Sequence, residues 1–387
     1  MNLAPLRSVL RSALCLFVFL LAGAAGAAPP PEALAAARLD AAWRASGAPG
    51  MSLAVALGGR IVVSEGRGVA NLNHLIPAAG NTVYNLGSIS KLNTAVAVMQ
   101  LVEQGKVSLD DPILKYVPSF PEKSGSITVR HLLTHTSGIR HYRATDFPES
   151  GGDENRRAFT SLAEAIKFFR DDPLLFPPGT LFRYTSYGVN LLQGVVETAS
   201  GLSFEDYLRR EVWGPAGMLS TTVDVPGRIV PHRAQGYLTD GGVVREHPYG
   251  DLTYKFASGG ILSTAEDQAR LAAALNAGRL LRPETRDRMF ASQLPLPIHS
   301  YQENAPPQEE DFEQGFLWRA RRDAAGRRLV YHCGTVQGFQ GCLVDFPAED
   351  LVVVLLANGA DAPGWAEPLA IAQLFLPAPS SRPAAVP

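Results

Sequence analysis

The clearest hydrophobic patterns lie toward the two ends of the chain. Residues 51–57, the pair Gly58-Gly59 and residues 60–66 read as two strands joined by a tight turn. A second hairpin is predicted at 316–322 and 327–332, with a turn at 323–326. Two further β-rich runs follow at 342–346 and 351–357, with 347–350 as their turn. Between these ends the apolar positions recur at helical spacing: 89–104 ended by Gly105, 129–135 after Thr128 as cap, 187–199 ended by Gly201, and 265–277 ended by Gly278. Strands at both ends with helices between them predict an α/β fold: an antiparallel sheet from N- and C-terminal segments, flanked by helices, with a helical lobe inserted in the middle. No repeat and no long low-complexity linker divides residues 29–376, which read as one unit; 377–387 is a Pro/Ala/Ser-rich tail expected to be loose.

Composition narrows the class. In 387 residues, 46% are hydrophobic and 19% charged, which fits a soluble globular chain and excludes a disordered or polytopic membrane protein. The net charge of −2 leaves no basic excess to neutralise a run of phosphates, so nucleic acid is not an expected partner. The densest basic stretch, Arg319, Arg321, Arg322, Arg327 and Arg328, follows Glu309, Glu310, Asp311 and Glu313. Both runs read as solvated surface.

The N-terminus carries an address. Arg7 and Arg11 precede an apolar run at 13–22, followed by small residues to Ala28 and then Pro29-Pro30-Pro31. This is the pattern of a secretory signal spanning 1–28, which predicts export to the periplasm or beyond. The apolar run is about half of the ~20 residues a membrane span needs, so no stable insertion is expected after cleavage. Cys15 lies near the start of that run rather than after it, which argues against a lipid anchor. Cys333 and Cys342 remain, on segments that read as neighbouring strands; a disulfide and two inert thiols are both open.

Three short motifs could carry chemistry. Ser88 and Lys91 stand three apart where a loop gives way to a helix, so an amine can take the proton of a nucleophilic hydroxyl. Alone, such a pair arises by chance roughly once in a chain of this length, with Ser88 a mere cap and Lys91 a surface charge. Tyr184 and Ser186 follow the turn signal Pro177-Pro178-Gly179. A phenol can carry protons only if positive neighbours favour its phenolate, and Lys91 could supply that charge. Last comes His332-Cys333-Gly334-Thr335 on a late strand, where Gly334 would let substrate approach the backbone and the Thr335 N–H could face a developing oxyanion.

In this order the motifs resemble the serine β-lactamase and penicillin-binding-protein superfamily. The segments HLLTHTSGIRHY at 131–142, FRYTSYGVNLLQGVVETASG at 182–201 and ASGGILSTAEDQARL at 257–271 are similar to the class C β-lactamase-like serine hydrolases, most of all the branch with the mitochondrial serine β-lactamase-like proteins. The resemblance implies a β-lactamase/D-Ala-D-Ala carboxypeptidase-like fold and an acylated Ser88. Lys91 and Tyr184 would be its proton-transfer partners, and the N–H groups of Ser88 and Thr335 its oxyanion hole. Two departures stand out: Ser186 replaces the usual Asn, and His332 replaces a Lys, which makes carboxylate binding weaker or pH-dependent. Both point to a peptidase or esterase acting on a peptide or small molecule, rather than to a strong β-lactamase. A binder that acylates without turnover is the alternative.

A zinc site is the rival. His131, His135 and His141 have the spacing of a metzincin helix, but Leu132 stands where the general base belongs. The expectation is therefore no metal and no cofactor, with these histidines in ordinary hydrogen bonds.

Overall fold

Gly58 and Gly59 both adopt positive φ, 58° and 73°, the conformation a two-residue hairpin turn demands. They join β1 (Gly50–Leu57) to β2 (Arg60–Asn71) with Leu57 opposite Arg60. The computed structural model describes residues 28–123, 126–148, 155–359 and 364–377. Apart from Ala28 and Pro377, the segment read as a signal and the tail lie outside the described residues. Pro377 itself is tied down, its carbonyl accepting from Arg327 Nη1 at 2.9 Å.

Six more strands complete an eight-stranded antiparallel sheet: β3 (Ile76–Pro77), β4 (Glu313–Gln314), β5 (Arg319–Arg322), β6 (Arg328–Val336), β7 (Phe339–Phe346) and β8 (Leu351–Ala357). The order is β4-β5-β6-β7-β8-β1-β2-β3. The last long strand therefore pairs with the first, as the pattern of strands at both ends predicted. Along β8 successive residues face opposite sides. Leu351, Val353 and Leu355 pack with Leu39 and Ile371, whereas Val352, Val354 and Leu356 join the larger core of the helical lobe. One face is thus covered by α1 (Pro31–Ser46) and the C-terminal helix Ala366–Ala372. The other is covered by α5 (Ala265–Asn276), beyond which the helical lobe includes α2 (Ser90–Glu103), α3 (Val129–Leu133) and α4 (Ser186–Ser200), with α4 packed against both α2 and α3. Burial on both faces explains why β8 is a continuous apolar run. Among the described residues no helix is long and apolar enough to cross a membrane.

The departures from expectation have local causes. Helix α1 was not foreseen, because its buried face rests on only Ala35, Leu39 and Ala42. The helix expected through 135 stops at Leu133. His135 takes φ +57°, and the carbonyls of His135 and Thr136 accept from Arg183 and Gly179 N–H groups at 2.9 and 2.8 Å. The strand expected from 316 begins at Arg319, since Leu317 has φ +60° and its N–H is turned to the Leu133 carbonyl.

Asp345 on β7 is fully buried, with Asn276 Nδ2 at the end of α5 donating to its Oδ1 at 2.9 Å. Its other oxygen and the Asn276 Oδ1 both lack a partner, an arrangement that a protonated carboxyl would complete by donating back. Burial pushes this carboxyl up to about 8. The folded state therefore holds a proton that the unfolded chain releases above its ordinary carboxylate range, so stability falls as pH rises toward 8. Asp345→Asn supplies a neutral amide with the same donor and acceptor. Its melting temperature should gain more over wild type at about pH 8 than at about pH 5; equal gains at both would contradict a protonated Asp345.

Candidate active site

Ser88 is displayed by a turn that only a close fit permits. Gly87 has φ +50° and donates its N–H to Asn85 Oδ1 at 3.1 Å, and a single 3-10 turn, Gly87–Ile89, runs into α2. Ser88 thus stands one turn ahead of Lys91 without serving as the helix cap. Lys91 is not a surface charge; it is completely buried. Its Nζ lies 2.9 Å from Ser88 Oγ, 3.1 Å from Ser186 Oγ and 2.7 Å from the Ser258 carbonyl oxygen. Burial, with the nearby Arg319 guanidinium, holds the amine well below the ordinary lysine range. A neutral amine has two N–H donors and one lone pair. With the donors given to Ser186 and Ser258, the lone pair is left for the Ser88 proton.

Tyr184 closes the other side, its hydroxyl donating to Ser88 Oγ at 2.7 Å. Burial raises the phenol, with Ser88 and Arg319 pulling the other way. The expectation that a charged Lys91 favours a Tyr184 phenolate is therefore corrected. Desolvation favours the uncharged form of both groups, the amine of Lys91 and the phenol of Tyr184.

Two histidines of the suspected zinc motif hold this segment in place. Thr185 caps α4, its Oγ1 accepting from Gly188 N–H. The Thr185 N–H donates to His135 Nδ1 at 3.3 Å and the Ser186 N–H to His141 Nδ1 at 3.1 Å. Each imidazole must be neutral to accept there. Burial first, then Lys91, drives His135 well down and His141 to about 3. His131 instead caps α3 through Thr128. The three rings do not converge, and among the described residues no cluster of three His, Cys, Asp or Glu could hold a metal ion.

His332 is buried, its Nδ1 2.6 Å from the Cys333 carbonyl, its ring centroid 6.2 Å from that of Tyr184. Burial, Arg319 and Lys91 push it well below the ordinary histidine range. A titration of His332 near neutral pH, the basis for pH-dependent carboxylate binding, is thereby corrected. It is also absent from the lining of a cavity of about 350 Å³ into which Ser88, Ser186, Ser258 and Thr335 open.

Gly334 plays a different part from the one expected. A Cβ there would stand 2.2 Å from the Leu86 carbonyl oxygen and 2.7 Å from the Ser88 nitrogen. A Cβ on Gly87 would meet the Thr335 nitrogen at 2.9 Å. The two glycines let β6 lie against the Ser88 turn. Strand β5 pairs with β6 only as far as Tyr331, so 332–336 bond to β7 on one side and present their free edge to Ser88. Cys333 and Cys342 stand opposite one another across β6 and β7 and form a disulfide, which decides between the two alternatives left open. Sequence reasoning missed the Ser258 carbonyl and Arg319: a backbone oxygen carries no side-chain signal, and Arg319 sits in what reads as a solvated basic run.

A fold of this architecture with a Ser-x-x-Lys pair, a Tyr-x-Ser segment and a late His-x-Gly strand places the chain in the β-lactamase and penicillin-binding-protein-like superfamily of serine hydrolases. The chain belongs to the Beta-lactamase family, whose model matches residues 35–374. It is 32% identical over 286 residues to the human protein named serine beta-lactamase-like protein LACTB, mitochondrial, covering 57% of this chain and 52% of that protein. It is 30% identical to the putative penicillin-binding protein PbpX of Bacillus subtilis, over 60% of this chain and 56% of that one. The chain thus spans about half the length of the curated relatives it matches. Among solved structures, an octameric penicillin-binding protein homologue from Pyrococcus abyssi superposes with a TM-score of 0.74 at 28% identity, covering 89% of this chain and 76% of that one.

Gly334→Ala should leave a folded protein whose kcat falls roughly 100- to 1,000-fold, the scale of losing an oxyanion donor. Wild-type kcat in a variant with a normal melting curve would show that the approach of β6 to Ser88 is not needed.

Proposed function

We propose that this protein is a hydrolase that works through an acyl-Ser88 intermediate on peptide, ester or amide substrates, of the D-Ala-D-Ala carboxypeptidase or carboxylesterase type, with at most weak β-lactamase activity. The observation that carries the proposal is the Ser88 hydroxyl held between a desolvated amine and a phenol, at 2.9 and 2.7 Å. As Ser88 Oγ attacks the carbonyl carbon, its proton passes to Lys91 Nζ. The negative charge gathers on the carbonyl oxygen between the N–H groups of Ser88 and Thr335. When the carbon–heteroatom bond breaks, the departing atom takes a proton from Tyr184. Water then attacks the ester and gives its proton to the Tyr184 phenolate; as the bond between the acyl carbon and Ser88 Oγ breaks, Oγ takes its proton back from the Lys91 ammonium, which restores all three groups.

The substrate preference follows from what the site lacks. Ser186 offers a hydroxyl already engaged by Lys91, not an amide, and the neutral His332 supplies no fixed charge at the third motif. Export remains part of the proposal: the Cys333–Cys342 bond suits an oxidising compartment. The relatives named LACTB are, by their names, mitochondrial. A small molecule or peptide is the partner; nucleic acid is not.

Intact-mass spectrometry after incubation with a labelled penicillin and with a p-nitrophenyl ester tests this. Wild type should gain one acyl group on Ser88 and release nitrophenol continuously, and Ser88→Ala should do neither, with turnover down at least ~1,000-fold. A persistent adduct without turnover would favour the non-catalytic binder, and full activity in Ser88→Ala would sink the mechanism. Because the base must be neutral and Lys91 is held low, kcat/KM should keep its plateau to a lower pH than an ordinary lysine base would allow.

A further inference from the structure

Arg319 stands apart from the rest of its basic run. Arg321 pairs with Asp311, Arg327 with Asp323 and Arg328 with Glu313. Arg319 has no carboxylate partner among the described residues and is partly buried. Its guanidinium carbon lies 4.4 Å from the centroid of the Phe312 ring and 5.6 Å from that of Tyr184. Lys91 Nζ is 5.0 Å from the same Tyr184 centroid. Arg319 pairs across the sheet with Tyr331, the residue before His332, so the third motif and this cation share one corner of the site.

We propose that Arg319 is a positioning residue: its permanent charge beside Tyr184 keeps Lys91 in the amine form that can accept the Ser88 proton, and makes the Tyr184 proton easier to release. This rests on the acyl-Ser88 reading above. The physical reason is Coulombic, since a second cation in a low-dielectric site disfavours an ammonium and favours a phenolate.

The surroundings leave that charge uncompensated. Lys91 is faced by Ser88, by Ser186 from α4, by the Ser258 carbonyl and by the Tyr184 ring. Tyr184 is faced by His135, His141 and His332, with ring centroids at 4.6, 5.5 and 6.2 Å, all three held neutral. Lys255 adds charge of the same sign, acting on His141 and Tyr184. Asp146 is engaged by Arg140 through two bonds of 2.7 and 2.8 Å and by the Tyr187 hydroxyl at 2.9 Å. Arg319 is a common influence on Lys91, His135, His332 and Tyr184, lowering each.

The experiment is kcat/KM against pH for wild type, Arg319→Met, Arg319→Gln and Arg319→Lys, on a neutral p-nitrophenyl ester and on one bearing a carboxylate. In the two neutral variants the acid limb should move up by roughly 0.5–1 pH unit and the plateau kcat should fall severalfold as the Tyr184 proton becomes harder to release, with KM little changed; Lys should restore both. Two neutral replacements guard against one of them folding poorly. An unmoved limb in a folded neutral variant overturns the proposal. So does a KM for the carboxylate ester that rises more than about tenfold with the limb in place, which would make Arg319 a substrate contact. Ser88→Ala in the same assay separates the two readings. Turnover that survives it removes the acyl-Ser88 mechanism, whereas Ser88-dependent turnover with an unmoved limb removes only the role of Arg319.

Discussion

Everything in this site depends on keeping an amine out of water. A lysine side chain buried without a carboxylate is costly to charge, so the fold stabilises the neutral form and gains a base that would otherwise be protonated at neutral pH. Three different parts of the chain meet to do this: α2 and the turn that leads into it supply Lys91 and Ser88, the start of α4 supplies Ser186, and the short helix Phe256–Gly259 supplies the Ser258 carbonyl. Because the partners are two hydroxyls and a peptide oxygen, none can rescue the ammonium as a carboxylate would. The neutral histidines follow the same logic. His135 and His141 accept backbone N–H bonds, which a protonated ring could not do at Nδ1.

The sheet matters to the chemistry through one free edge. Strand β6 outruns β5, and the exposed edge can approach the Ser88 turn only because Gly87 and Gly334 carry no Cβ. Cys333, beside Gly334, is bonded to Cys342 on β7, so the edge that presents the Thr335 N–H is fastened to the centre of the sheet. Strand pairing alone leaves the ends of a ladder free to fray, whereas a covalent link next to the site resists that. The glycines thus set how near the donors come, and the disulfide helps to keep them there.

Much of this was legible in the amino-acid order because periodicity and spacing are local. The hairpin at Gly58-Gly59, the helix stops at Gly201 and Gly278, and the three-residue spacing of Ser88 and Lys91 all depend on near neighbours. What was not legible depends on long-range contact. The helix at 129–135 loses its last turn to backbone partners more than 40 residues away, so local propensity yields to tertiary pairing. Arg319 belongs to a run in which Arg321, Arg327 and Arg328 lie in ion pairs; the pairing of β5 with β6 brings Arg319 to Tyr184 instead. Gly334 was assigned to substrate access because a sequence shows that a glycine is present, but not what would fill the space of its missing Cβ.

The neutral resting state also fixes where charge can appear. In the proposed mechanism, moving the Ser88 proton to Lys91 creates an ammonium just as the substrate oxygen becomes negative. The ammonium then finds Ser88 Oγ, Ser186 Oγ and the Ser258 carbonyl already within 3.1 Å, one acceptor for each of its three N–H donors. The oxyanion meets N–H groups fixed by a turn and a strand edge. Neither charge requires a side chain to move, so little reorganisation is needed at the moment of reaction. Burial alone would make the amine a good base and the ammonium a poor intermediate. The three waiting acceptors offset that penalty once the proton arrives, whereas the Arg319 cation adds to it. The basicity of Lys91 is set by the balance between them, not by burial alone.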